Sequence, residues 1–152
     1  IDPFGLCSGG PKVWNGDLYA QLYAVDLLLA VKFQGFSYAT LKGVAGKSVN
    51  DIKMADQLYY QNNPRTWLFG GNLYSSDRMG NIGAAYAVTK VFGPVVSPVF
   101  LVGAEIIYID LSQGIGAAVS DAVASFRDNA IGFSAAQSSP NSPVGSPVAW
   151  TR

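Results

Sequence analysis

Residues 80–92 read GNIGAAYAVTKVF, a stretch in which small residues recur at a helical spacing. Ala84, Ala85 and Ala87 carry little side-chain bulk, so another helix can approach this one closely. Pro94 follows, and a proline cannot continue a helix because it lacks the backbone N–H. The stretch therefore predicts a helix that ends before residue 94 and packs against a second helix.

Two more helices are predicted on the amino-terminal side of this stretch. Apolar residues repeat with a helical period over residues 17–33, where Asn15 or Asp17 could cap the helix and Gly35 would stop it. Ser48 is followed three residues later by Asp51, which resembles a capping box with aspartate in place of glutamate. The helix that it opens is expected to reach residue 62 or 63.

The remainder of the chain predicts two further helices and one long loop. Residues 62–80 hold three glycines and two adjacent serines, which predicts a structured loop. We expect an apolar helix around residues 100–111 and another over residues 117–136. Val, Ile and Tyr are dense in residues 99–111, so a strand is the open alternative there.

These patterns predict a mainly α, compact single domain of about five helices with long structured loops. A short β element, giving an α+β fold, is the alternative. Residues 1–13 are rich in Gly and Pro and read as a linker, and residues 14–136 form the domain. Residues 137–152 contain three prolines among serines and are typical of a flexible tail.

Composition excludes several kinds of chemistry. The 152 residues include no histidine, which removes Ser-His-Asp triads, Cys-His nucleophile pairs and HExxH zinc sites. Ten basic residues balance ten acidic ones, so we expect no nucleic acid partner. The motif GVAGKS at residues 43–48 lacks the spacing of a phosphate-binding loop, and we predict no cofactor and no metal ion.

The opening IDPFGLC resembles the DPxGL motif that ends the cores of Rhs and YD-repeat proteins, with Asp2, Pro3, Gly5 and Leu6 at the matching positions. IDPF also resembles a scar left by some expression vectors. In the Rhs family, a toxin follows the motif and the chain is cut after the Leu. The resemblance implies a secreted antibacterial effector, delivered by a contractile type VI secretion system into the periplasm or cytosol of a target cell. It also implies two partners, the Rhs core shell before release and a cognate immunity protein.

A second resemblance covers residues 51–132 and is to the toxin domains called polymorphic toxin type forty-four. The matching positions lie in a Trp-containing turn, a glycine-rich segment and an acidic stretch before a helix: Trp67, Gly80, Asn81, Gly83, Tyr86, Gly93, Asp121, Asp128 and Gly132. The chain departs from the pattern at Met79, where the family has an aromatic residue, and no Lys follows Trp67 closely.

Without histidine, proton transfer has to use carboxylates, and three of them are candidate catalytic residues. Glu105 is the only glutamate and lies within FLVGAEIIYI, where burial is expected to raise its pKa and suit it as a general acid. Asp77 or Asp128 is the expected partner. The structural alternatives are that Glu105 pairs with Lys90 or Arg127, that Asp77 caps a helix, and that Asp128 lies on an exposed helical turn.

Five residues near these carboxylates are candidates for substrate binding, as hydrogen-bond donors or as aromatic platforms that stack sugars: Arg78, Asn81, Trp67, Tyr74 and Tyr86. Asn81 could instead cap a helix, and core packing is the commoner fate of the aromatic residues. These candidate carboxylates and binding residues favour a glycosidase-like hydrolase of peptidoglycan. The alternatives are a toxin whose apolar helices insert into the membrane, and a toxin that acts on NAD or another nucleotide through Arg65, Arg78 and a carboxylate.

Overall fold

The structure is a computed structural model that describes residues 13–35, 37, 39–40, 52, 55–62, 64–101 and 111–138. Strand β1 (Val13–Asn15) leads directly into helix α1 (Gly16–Gln34). The Asn15 side chain caps α1 by accepting a hydrogen bond from the Leu18 backbone N–H at 3.0 Å. The helix ends at Gly35, whose N–H donates to the Val31 carbonyl.

A β-hairpin completes a small three-stranded sheet. Strands β2 (Thr66–Phe69) and β3 (Asn72–Ser75) are antiparallel, and β1 pairs in parallel with β2 to give the order β1-β2-β3. Gly70 and Gly71 form the two-residue turn with φ angles of 55° and 83°. Two consecutive positive φ angles are typical of the tight hairpin turns that glycine pairs favour.

Helix α3 (Ser76–Phe92) follows β3 without a connecting loop and lies at the centre of the domain. It packs extensively against α1 and against α5 (Ile115–Ser138), as the small residues of GNIGAAYAVTKVF predicted. A Cβ at Gly83 would lie 2.7 Å from the Tyr19 ring, and one at Gly132 would lie 2.2 Å from the Ile82 carbonyl oxygen. Both glycines therefore allow helices to approach more closely than any side chain would permit.

The structure also describes helical residues at positions 55–59 (α2) and 97–101 (α4), and a 3-10 turn spans Leu111–Gln113. The prediction of a mainly α domain with a short β element is confirmed. The helices predicted for residues 17–33 and 117–136 are present with slightly wider bounds.

The segment from residue 62 to residue 80, predicted as a loop, instead contains β2, β3 and the first turn of α3. Its Gly-Gly pair between two runs with aromatic residues was a hairpin signal. The proposed capping box at Ser48 and the apolar segment around Glu105 lie outside the described residues, as do residues 1–12 and 139–152.

Candidate functional site

The first turn of α3 and the middle of α5 join two of the predicted site residues. Arg78 Nε donates to Asp128 Oδ1 at 2.9 Å, although the two residues are 50 positions apart in sequence. The Asp128 side chain is only 4% exposed, whereas that of Arg78 is 48% exposed. Asn81, one helical turn after Arg78, aims its amide Nδ2 at Asp128 Oδ2 at the longer distance of 3.5 Å.

Tyr74 supports the same arginine from the sheet. The Arg78 guanidinium carbon lies 4.9 Å from the centroid of the Tyr74 ring, within the range of a cation–π interaction. Because Nε is bonded to Asp128 while the ring faces the guanidinium, both the position and the tilt of the guanidinium are restricted. We call Tyr74, Arg78, Asn81 and Asp128 the Arg78 cluster.

Local sequence explains how this cluster forms. Ser75, the last residue of β3, caps α3 by accepting from the Arg78 backbone N–H, so Arg78 falls in the first helical turn beside the strand. Gly132 brings α5 against α3, and Asp128 lies one turn before it on the same side of α5. The close approach at Gly132 therefore sets Asp128 within hydrogen-bonding distance of α3.

The remaining predicted residues lie in different environments. Asp77 is exposed in the first turn of α3, next in sequence to Arg78. Trp67 and Tyr86 are buried in the core: Trp67 Nε1 donates to Ser76 Oγ at 2.8 Å, and the Tyr86 hydroxyl accepts from Gln21 Nε2. The structure thus groups Arg78, Asn81, Tyr74 and Asp128, with Asp77 next to Arg78 in sequence, and it places Trp67 and Tyr86 in the core.

A second arginine forms a buried network that was not predicted from the sequence. Arg65 Nε contacts Asp56 Oδ1 at 2.5 Å and its Nη2 donates to the Ile52 carbonyl at 3.0 Å. The Arg65 and Asp56 side chains are 7% and 14% exposed. Three aromatic rings surround the guanidinium at 4.8 to 5.1 Å, those of Trp14, Tyr60 and Trp67.

This network, the Arg65 cluster, ends at the first residue of α3. Ser76 Oγ donates to Asp56 Oδ2 and accepts from Trp67 Nε1, so the start of α3 is tied to the sheet and to α2. Ser76 lies two residues before Arg78. The Arg65 cluster therefore supports the helical turn on which the exposed residues Asp77 and Arg78 stand.

Within the described part of the chain, no group of three or more His, Cys, Asp or Glu residues could hold a metal ion. Among those same residues, no helix is both long and apolar enough to cross a lipid bilayer.

Comparison of the chain with known protein families, with curated proteins and with solved structures finds no match.

The chemistry available at the Arg78 cluster is that of carboxylates and hydrogen-bond donors. Asp77 is an exposed carboxylate that can reach a bound substrate or a water molecule, and Asp128 is a buried carboxylate that holds two donors in place. The exposed carboxylate can act on a ligand directly, whereas the buried one positions the donors beside it. An arginine and an amide beside them can orient polar groups of a substrate.

Proposed function

We propose that the chain is an antibacterial effector toxin that hydrolyses the bacterial cell envelope, with peptidoglycan as substrate and the Arg78 cluster as part of its active site. The observation that carries the proposal is the Arg78–Asp128 contact. This contact joins α3 and α5, two segments in which the sequence separately predicted site residues. It involves the residue next in sequence to the exposed Asp77. The resemblance of IDPFGLC to the Rhs junction supports delivery of such a toxin into a competing cell.

In the proposed reaction, Asp77 activates a water molecule as general base, and Glu105 protonates the oxygen of the leaving sugar. A pair of carboxylates with these two roles is the usual machinery of glycoside hydrolysis. Asp128 is itself almost fully covered, so its role is to hold Arg78 and Asn81 where they bind substrate oxygens. Because the chain has no histidine, acidic side chains carry the proton transfers.

The nucleotide alternative relied on Arg65 together with Arg78. Arg65 is enclosed by aromatic rings and paired with Asp56, so its guanidinium is occupied within the protein. This burial favours the envelope hydrolase over the nucleotide-directed toxin.

The proposal can be tested on purified peptidoglycan sacculi, with release of soluble muropeptides followed by mass spectrometry. We expect Asp77→Asn and Glu105→Gln each to reduce the release rate at least ~100-fold, the usual contribution of a general acid or base. Asp26→Asn, which changes an exposed aspartate on α1, is the matched control and should retain the wild-type rate.

The same variants should be expressed with and without a periplasmic signal sequence in a sensitive strain. Growth inhibition confined to the periplasmic form, and relieved by Asp77→Asn, would support the proposal. The proposal fails if wild-type protein releases no muropeptides, or if Asp77→Asn and Glu105→Gln both remain fully toxic.

A further inference from the structure

The two terminal nitrogens of Arg78 form the outer edge of its guanidinium, on the side away from the Nε that Asp128 binds. Its Nε is used by Asp128, and the contacts within the described structure include no hydrogen bond to either terminal nitrogen. About half of the side chain is exposed, although the guanidinium is restricted by Asp128 on one side and by the Tyr74 ring on another. The outer edge therefore carries two fixed donors side by side.

We propose that this edge is a binding subsite for a carboxylate group of the substrate, which both terminal nitrogens bind in a bidentate manner. The inference deepens the proposed function and rests on it for the choice of a carboxylate over a phosphate. Two parallel N–H donors match the spacing of carboxylate oxygens, and such paired, charge-assisted bonds are among the strongest in proteins.

Fixing the guanidinium in advance is what distinguishes Arg78 from an ordinary surface arginine. A free arginine loses side-chain entropy when it binds a ligand, whereas an arginine that is already restricted loses less. The buried position of Asp128 also matters, because its oxygens bind Arg78 Nε and Asn81 Nδ2 and its side chain is almost fully covered. Asp128 thus orients the subsite without itself lying at the surface where a ligand would bind.

Peptidoglycan offers two sources of a carboxylate, the lactyl group of an unsubstituted muramic acid and the carboxyl groups of the stem peptide. An N-acetylglucosamine disaccharide has the same kind of sugar backbone without any carboxylate. The subsite therefore predicts preference for a muramic acid disaccharide, or for a muramyl dipeptide, over the neutral disaccharide. Tighter binding of the muramic acid disaccharide would identify the lactyl group as the source of the carboxylate, and tighter binding of the muramyl dipeptide would identify the stem peptide.

Binding should be measured by NMR titration of the full chain with these three probes and with inorganic phosphate. For one carboxylate probe, we expect roughly tenfold tighter binding than for the neutral disaccharide. Arg78→Gln should remove this preference, and Arg78→Lys should restore only part of it because lysine keeps the charge and loses the paired donors. Circular dichroism of each variant establishes that it is folded.

Asp128→Asn separates an oriented subsite from simple charge attraction. Removing a negative charge would strengthen binding of the carboxylate probe if only charge mattered, whereas loss of the orienting contact should weaken it several-fold. Tighter binding in Asp128→Asn, equal affinities for all three saccharide probes, equal affinity for phosphate, or an unchanged preference in Arg78→Gln would each overturn the inference.

Failure of the subsite and failure of the proposed function give different results. If sacculi are hydrolysed while Arg78→Gln binds every probe as wild type does, the subsite is wrong and the hydrolase stands. If a carboxylate probe binds through Arg78 while sacculi stay intact, the subsite stands and the hydrolase is wrong.

Discussion

Arg65 and Arg78 make the same kinds of contact in opposite settings. Each bonds through Nε to an aspartate, and each lies about 5 Å from at least one aromatic ring. Arg65 is enclosed by three rings and a backbone carbonyl, and its side chain is only 7% exposed. Arg78 has one ring beneath it and solvent on its outer edge.

The difference shows how one pair of residue types can serve structure in one place and, in the proposed subsite, binding in another. Burying a paired charge costs solvation energy, which is regained only if the charge is fully satisfied inside the protein. Arg65 meets that condition with Asp56 and Ile52, so it stabilises the start of α3. Arg78 is about half exposed, and its two terminal nitrogens, which have no hydrogen-bond partner among the described residues, are the donors of the proposed subsite.

Removing Arg65 is expected to have the largest effect on stability. Arg65→Met leaves Asp56 largely buried without its cation, and breaking such a pair typically costs about 3 to 5 kcal/mol. The free energy of unfolding, measured with urea, should fall by that amount. Arg127→Met removes an exposed arginine from α5 and should change it by less than about 0.5 kcal/mol.

The double variant Arg65→Met with Asp56→Asn sharpens this prediction. Because the uncompensated charge is gone, the double variant should be more stable than Arg65→Met alone. Equal stability of the two variants would show that water reaches Asp56 once Arg65 is removed. The Arg65–Asp56 contact would then not behave as a buried ion pair.

Gly132→Ala is expected to have the second largest effect, and it acts on the Arg78 side of the comparison. The added Cβ would lie 2.2 Å from the Ile82 carbonyl oxygen, so the backbones of α3 and α5 would have to separate. Overpacking of this kind costs about 3 kcal/mol at the upper end of its usual range. The separation should also weaken the Arg78–Asp128 contact and lower the rate of muropeptide release.

Gly116→Ala is the matched control for this substitution. Gly116 lies in the first turn of α5, and within the described part of the chain a Cβ there would meet no atom within 4 Å beyond its chain neighbours and the backbone of its own helix. Alanine should therefore stabilise the helix by up to about 1 kcal/mol, because it loses less backbone entropy on folding. A loss of stability in Gly116→Ala similar to that in Gly132→Ala would contradict the close-packing explanation.

The helices and the hairpin differ in how well the sequence predicted them. Helical periods and small residues were sufficient to predict α1, α3 and α5 and the close packing of α3, because these are local patterns. The hairpin was missed because the glycines and serines of residues 62–80 were interpreted together as a loop, although the Gly-Gly pair at residues 70–71 lies between the mostly apolar runs WLF and NLY. Local composition alone did not separate a tight turn from a long loop.

The candidate site was predictable only in part for a different reason. Asp77, Arg78 and Asp128 stood out as charged residues beside glycines and helix starts, but their pairing depends on how α5 crosses α3. The Arg65 cluster had no sequence signal, because Asp56 and the rings around Arg65 come from three separate segments. Long-range contacts of this kind follow from the tertiary fold and not from spacing.

Arg78→Met is expected to have a smaller effect on stability than either of the first two substitutions. Its side chain is about half exposed, so solvent screens the pair and water can reach Asp128 once the arginine is removed. We expect a loss of about 1 to 2 kcal/mol in the free energy of unfolding, against the larger loss in Arg65→Met. A loss equal to that of Arg65→Met would mean that both arginines are structural, and the binding role of Arg78 would lose its basis.

Lys90 extends the comparison to a third cation over a ring and should give the smallest effect. Its Nζ lies 5.8 Å from the centroid of the Tyr86 ring, and desolvation by burial lowers its pKa below the ordinary value of 10.5. The unfolded chain therefore holds this proton to a higher pH than the folded protein does, so stability should rise as the pH increases through the window just below 10.5. Lys90→Met should remove that rise and stabilise the protein at neutral pH by less than about 0.5 kcal/mol.

Urea unfolding of both proteins at several pH values tests this, with Lys32→Met on α1 correcting for the change in net charge. A stability difference between wild type and Lys90→Met that stays constant up to pH 11 would show that folding leaves the pKa of Lys90 unchanged, and one that widens in favour of the variant would show that folding raises it; either result contradicts the prediction.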